Sequence, residues 1–167
     1  MAWRQPPENT VRALVEGITR FDGVEFDLRL SADGELVLHH DHHLSIDTDE
    51  LIGKERFIEQ LQSDEIKLNG FDDFTSLMEN KDFTGQLIDQ SKVAFIEIKP
   101  PHRSIQPRGE NTAHLAKILE KVAELLKNHD IPRHNAVVYS FHSAMASVAK
   151  KASYKGNWSE LRPVVPP

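Results

Sequence analysis

The chain has 167 residues, of which 39% are apolar and 28% charged, with a formal net charge of −6. That balance describes a globular chain large enough for a hydrophobic core and excludes a disordered segment. The lack of cysteine excludes a disulfide scaffold and thiolate metal sites, no apolar run approaches the ~20 residues of a membrane span, and the scattered Lys and Arg exclude a nucleic-acid footprint.

Pro6-Pro7-Glu8-Asn9-Thr10 reads as a loop that closes on a helix N-cap at Asn9 or Thr10. The helix that follows carries Val11, Leu14, Val15 and Ile18 on one face, and Asp22-Gly23 breaks it. Val24–Leu30 is a strand, Ala32-Asp33-Gly34 a turn, and Glu35–His39 a short second strand. Residues 45–70 are polar and mixed, with a helix expected near 55–62, and Phe74–Glu79 is a short helix. Val93–Lys99 is a strand ended by Pro100-Pro101, and 102–111 is a loop. Asn111 or Thr112 caps the clearest helix, which runs to about Asn128; Ala136–Phe141 is a strand, Ser143–Ala152 a helix, and 161–167 has no element. Strands alternating with helices predict a parallel α/β fold, either part of a barrel or a small open sheet. There is no internal repeat.

Two strands carry acids on an apolar background. Successive strand residues face opposite ways, so Glu25, Asp27 and Arg29 share one face of the first, while Phe95, Glu97 and Lys99 share one face of the other. Each alone also fits a half-buried strand with a wet polar face. Parallel strands covered by helices are normally apolar on both faces, and in a barrel the inner face at the C-terminal strand ends is where active sites sit. Three converging carboxylates require a cation to offset their repulsion, and oxygen ligands suit a hard divalent ion such as Mg²⁺ or Ca²⁺. The run His39-His40-Asp41-His42-His43 follows the short strand. It reads either as a solvated loop or as the source of one imidazole for acid/base work near neutral pH, with His40 the best candidate.

PENT at 7–10, VEFDLRLSADGELVLHHDHHL at 24–44 and FIEIK at 95–99 resemble the glycerophosphodiester phosphodiesterases. That family's signature is His-Arg-Gly before PENT, then Glu-x-Asp, Asp-Gly, His-Asp and a Glu-x-Lys strand; Ser140-Phe141 resembles the end of its next strand. The resemblance implies a TIM-type (β/α)8 barrel, of which this chain holds roughly the first half. It implies Glu25, Asp27 and Glu97 as ligands of one divalent cation, Mg²⁺ or Ca²⁺, and His40 and Arg4 as catalytic residues. Arg4 and Lys99 become phosphate contacts, and Glu8 a support in the same cleft. The implied activity is metal-dependent hydrolysis of glycerophosphodiesters, small-molecule substrates of glycerophospholipid metabolism, to glycerol 3-phosphate and an alcohol.

Two departures stand out. Trp3-Arg4-Gln5 occupies the place of His-Arg-Gly. Loss of one of two acid/base groups lowers rates by about 10²–10⁴-fold, which opens the alternative of an inactive remnant that binds phosphate or metal as an interaction module. A barrel of this type needs about 250 residues, so the chain is expected to be one domain over 1–167, truncated at the C-terminus and lacking the usual first strand. An open barrel exposes a strand edge, so a homo-oligomer or a partner is expected to cover it. A third alternative is a His-rich metal module without phosphate chemistry. No leader peptide is visible, so the expected location is the cytoplasm.

Overall fold

The computed structural model describes residues 6–45, 55–105 and 111–160. A five-stranded sheet organises them, in the order β2 (Leu36–Leu38), β1 (Gly23–Leu30), β5 (Val93–Ile98), β6 (Ala136–Ser140) and β7 (Asn157–Glu160). β1, β5, β6 and β7 are parallel, whereas β2 folds back antiparallel on β1 through the Ala32–Gly34 turn. Gly34 takes φ +86° there, a conformation that glycine adopts without a Cβ penalty. β3 (His43–Ser45) and β4 (Glu55–Phe57) make a separate two-stranded ribbon.

Helices fill the crossovers: α1 (Val11–Arg20) precedes β1, and α2 (Ser63–Leu68), α3 (Phe74–Glu79) and α4 (Lys81–Asp89) precede β5. α5 (Asn111–Asn128) joins β5 to β6, and α6 (Met145–Lys151) joins β6 to β7. Helices α1, α3, α4, α5 and α6 pack on one face of the sheet. Phe26, Leu28, Ile96, Ile98 and Val138 point into that layer and meet Ile18, Phe74, Phe83, Ile118 and Leu119. A smaller cluster of Val37, Leu44, Ile58, Leu61 and Ile66 lies under the ribbon. Val37 enters it because strand alternation turns Val37 away from Leu36 and Leu38, which join the main core.

The alternation of parallel strands with helices is the mixed α/β fold expected of a partial TIM-type barrel. One expected element is corrected: residues 55–62 are not a helix. Glu55–Phe57 pairs with His43–Ser45, a single 3-10 turn spans Ile58–Gln60, and the helix starts only at Ser63. Gln62 sets that start: its backbone N–H donates to Glu65 Oε2 at 2.9 Å, closing a capping box. α4 and β7 were not expected. Asn80 ends α3 and caps α4, its Oδ1 accepting from Asp82 N and Phe83 N, so a polar residue marks a joint between two helices instead of a loop. The Asn-Trp-Ser-Glu of β7 carries no strand pattern and is placed by pairing with β6. It supplies a fourth parallel strand at the C-terminal side. Among the described residues no helix is long and apolar enough to cross a membrane.

Candidate active site

The site grows from strand register. β1 and β5 run parallel with Asp27 directly opposite Glu97, and Glu97 in turn lies opposite Tyr139 on β6. Residues so paired share a face, here the face turned away from the helices. Glu25, one pleat back on β1, joins them. The carboxylates of Glu25, Asp27 and Glu97 offer ligand atoms all within 4.8 Å of one another.

Lys99, one residue beyond β5, reaches back over this group. Its Nζ lies 3.0 Å from Asp27 Oδ1 and 2.6 Å from Glu97 Oε1, with all three side chains largely buried. The backbone N–H of Lys99 donates to Leu28 O, which extends the β1–β5 ladder and fixes the side chain's origin. Asp27 is further clamped by Asn9. The Asn9 amide donates to Asp27 Oδ2 at 2.9 Å, and Asn9 Oδ1 accepts from Asp27 N at 2.9 Å. Asn9 holds φ +52° to do this, and Thr10 takes the cap of α1, its hydroxyl oxygen accepting from Ala13 N. The Tyr139 hydroxyl donates to Glu25 Oε1 at 2.7 Å.

The electrostatics follow. Lost hydration pushes the Glu25 carboxyl up, although the residue as a whole is exposed. The Tyr139 hydrogen bond opposes this, while Asp27 and Glu97 add to it. Burial likewise raises Glu97, with Lys99 pulling it down and Asp27 pushing it up. The Tyr139 phenol is held far above its ordinary value by burial and by the Glu25 carboxylate it serves. Lys99 does not neutralise the cluster: one ammonium faces three carboxylates, and all the metal-competent donors are oxygen. That donor set fits a hard divalent cation.

His40 stands at the rim, one residue beyond the backbone bond from His39 N to Asp27 O. Its ring is exposed, with Nδ1 2.9 Å from Asp41 Oδ1. The hydrogen bond from His40 holds the Asp41 carboxyl below its usual range. His40 is anchored through its carbonyl, which accepts from Arg29 Nε at 3.1 Å and Arg29 Nη2 at 2.9 Å. Arg29 Nη1 donates to Glu59 Oε1 at 3.0 Å and to Pro100 O at 3.2 Å. A single buried guanidinium therefore ties together the His40 loop, the end of the Lys99 strand and the 3-10 turn.

The other histidines of the run scatter. His39 Nε2 meets His43 O, and the His39 ring packs edge-on against Phe71. His42 and His43 turn toward His102 and Phe57. Among the described residues the metal-competent group is the carboxylate triad and not the histidines, which removes the main support for a His-rich metal module. Glu8 is exposed in the turn ahead of α1 and is not part of the triad. Arg4, with Trp3, lies outside the described residues.

The structure thus brings Glu25, Asp27, Glu97 and Lys99 together, while the exposed His40 ring pairs with Asp41. Sequence reasoning missed Asn9, Tyr139 and the Arg29–Glu59 pair as parts of the site. Asn9 lies inside the PENT motif but was read as a helix cap. Tyr139 is a lone aromatic on a strand, whose role depends on register that sequence does not supply.

The family model described as the glycerophosphoryl diester phosphodiesterase family matches residues 2–161. The chain belongs to that family. Solved structures similar to this glycerophosphoryl diester phosphodiesterase family member include one from Silicibacter pomeroyi carrying the same family designation (19% identity, TM-score 0.71, covering 92% of this chain and 59% of that one). Another is a glycerophosphodiester phosphodiesterase from Thermotoga maritima (24%, TM-score 0.62, 94% and 57%). A third is a phosphodiesterase from Oleispira antarctica in complex with the product sn-glycerol-3-phosphate (22%, TM-score 0.64, 93% and 60%). These likenesses establish the fold; this family member spans about three-fifths of the length of those proteins. Comparison with curated proteins gives no match.

Proposed function

We propose that the chain acts as a metal-dependent phosphoric diester hydrolase that cleaves glycerophosphodiesters to glycerol 3-phosphate and an alcohol. The observation that carries this reading is the convergence of Glu25, Asp27 and Glu97 with Lys99 on the inner face of two parallel strands. Glu25, Asp27 and Glu97 would hold one divalent ion, Mg²⁺ or Ca²⁺, which when bound neutralises phosphate charge and polarises the oxygens of the diester. Asn9 fixes Asp27 and Tyr139 fixes Glu25 in position for that role. Lys99 supplies a fixed cation for a phosphoryl oxygen. Arg4 is the second phosphate contact and a catalytic residue, and Glu8 a support, on the strength of the family signature. In hydrolysis a water oxygen bonds to phosphorus, the bond from phosphorus to the alcohol oxygen breaks, and a proton passes to that oxygen. His40 takes the proton-transfer role on the strength of the family signature: with Nδ1–H directed at Asp41, Nε2 takes or gives the proton.

The test is hydrolysis of glycerophosphocholine by the purified chain with Ca²⁺ or Mg²⁺, with EDTA, and in a Glu25→Ala/Glu97→Ala double variant. Metal-dependent turnover lost in the variant supports the enzyme. Trp3, in place of the family's first histidine, favours a second reading, a binding module that keeps the metal site. No turnover, with divalent metal still bound through Glu25 and Glu97, would select it. A partner or second copy is also proposed at the open edge of the barrel, where β7 pairs only with β6 among the described strands and Trp158 is 41% exposed. Sedimentation velocity reads that directly: a monomer at high concentration counts against it.

A further inference from the structure

A second cavity opens on the same rim as the carboxylate site. It is lined by His42, Pro101, His102, Arg103, Asn111 and His142, contributed by the loops after β2, β5 and β6 and by the first turn of α5, and its volume is about 450 Å³. That size suits a small polar molecule or one end of a larger one.

The lining is rich in donors. Ser104 N donates to His102 Nδ1 at 3.2 Å, and Ala144 N donates to His142 Nδ1 at 3.3 Å. With Nδ1 accepting in both rings, the neutral tautomer carries its proton on Nε2, so each imidazole offers an N–H. Arg103 adds a permanent cation with a planar fork of donors. Two other polar atoms of the lining, His42 Nδ1 and the acceptor Asn111 Oδ1, are buried without hydrogen-bond partners among the described residues. Among those residues no carboxylate lines the cavity. The His102 ring is itself held rigid, stacked on Phe57 at 5.0 Å and set against His42 at 4.9 Å. The cavity neighbours the carboxylate site along the chain: Pro101 and His102 follow soon after Lys99, and His142 lies two residues beyond the end of β6.

We propose that this cavity is the subsite for the alcohol portion of the diester, and that it selects an alcohol bearing a second anionic group, such as a phosphomonoester, over a cationic one such as choline. Resting on the hydrolase reading above, this narrows its substrate class. Anionic groups match a lining of N–H donors and one guanidinium, whereas a quaternary ammonium meets Arg103 with no acid among the described lining residues to offset it.

The experiment has two arms. In the first, kcat/KM is compared for glycerophosphoinositol 4-phosphate, glycerophosphoinositol and glycerophosphocholine. At least a tenfold preference for the phosphorylated substrate is expected, and Arg103→Ala should erase it by lowering kcat/KM on that substrate. Equal or better turnover of glycerophosphocholine overturns the proposal, as does an Arg103→Ala effect that is the same on all three. In the second arm, inorganic phosphate is titrated while the imidazole signals of His102 and His142 are followed by NMR. Saturable shifts that vanish in Arg103→Ala support the anion subsite; no shift overturns it. Failure of every diester to turn over would defeat the hydrolase reading and with it the alcohol assignment, and the titration would still decide whether the cavity takes an anion.

Discussion

Asp27 and Glu97 stand opposite each other in the register of two parallel strands, and the ammonium of Lys99 bridges them at 3.0 and 2.6 Å. Parallel pairing alone brings these carboxylates together: a one-residue shift of β5 would send Glu97 to the helix-covered face. The cation between them offsets only part of the charge, and Glu25 completes a cluster whose repulsion a divalent ion would relieve.

Metal binding should therefore stabilise the fold. At a free Mg²⁺ or Ca²⁺ concentration about 100 times Kd, linkage predicts about 2.7 kcal/mol of added stability. Thermal unfolding with either metal and with EDTA measures it. Glu97→Gln should abolish the metal-induced rise in Tm; a rise that persists unchanged in that variant would place the ion elsewhere.

Tyr139 acts on Glu25 through its hydroxyl, and Tyr139→Phe removes that hydroxyl while keeping the ring. Removing a group that orients a metal ligand typically weakens affinity by about 10–100-fold. Isothermal titration with Ca²⁺ or Mg²⁺ should show at least a tenfold loss for Tyr139→Phe, with a Tm in EDTA close to that of the wild type. Unchanged affinity would mean that the 2.7 Å bond to Glu25 does nothing for the ion.

How much of this was legible beforehand depends on the range of the interactions. The acids at 25, 27 and 97 were visible because strand alternation is a local rule, and local periodicity also located α1, α5 and, to within a residue, the strands read at 24–30, 93–99 and 136–141. The segment at 55–62 misled because Ile58 and Leu61 mimic helical spacing, yet both are buried in the small cluster beneath the ribbon. β7 was illegible because its polar residues gain strand conformation only from β6. Asn9 and Tyr139 were missed because their partners lie 18 and 114 residues away.

Asn9 makes a separable prediction. It supplies two hydrogen bonds to Asp27 from a left-handed backbone conformation, φ +52°. Asn9→Gly keeps the backbone freedom and loses the clamp, leaving Asp27 N unpaired at a cost of about 1–3 kcal/mol. Asn9→Ala loses both and should fall further, by roughly another 1 kcal/mol. Urea denaturation of the two variants reads the order. Equal stabilities would show that the positive φ carries no strain.

Arg29 and Glu59 form a buried ion pair, their side chains 2% and 7% exposed. Burial lowers the affinity of Arg29 for its proton and raises the Glu59 carboxyl, and each charge opposes the effect on the other. Arg29→Met leaves Glu59 buried without its partner and should cost about 3–5 kcal/mol. Arg29→Met/Glu59→Leu should recover part of this. The rest stays lost because the carbonyls of His40 and Pro100 still lack their donor. Chemical denaturation of the single and double variants tests the pair; a double variant no more stable than the single would mean that Glu59 was never the burden.

His114 predicts an acid limb in the stability profile. Burial holds its imidazole down to about 4, helped by the charges of Lys117 and Arg29. Its Nε2 is buried without a partner among the described residues, in a cavity also lined by Glu59 and Lys117. In the unfolded chain the group titrates near its ordinary value of about 6.5. Between these two values the unfolded state binds the proton and the folded state does not, so stability falls as pH falls. The contribution is fully present above about 6.5 and fully lost near 4. A difference of about two and a half pH units corresponds to on the order of 3 kcal/mol. His114→Asn removes the titrating group, so urea unfolding of the variant from pH 7 to pH 4 should follow a shallower line. Some slope should remain, because His42 is held to about 4 by the same cause. Superimposable pH profiles for the wild type and His114→Asn would show that His114 binds its proton equally well in both states.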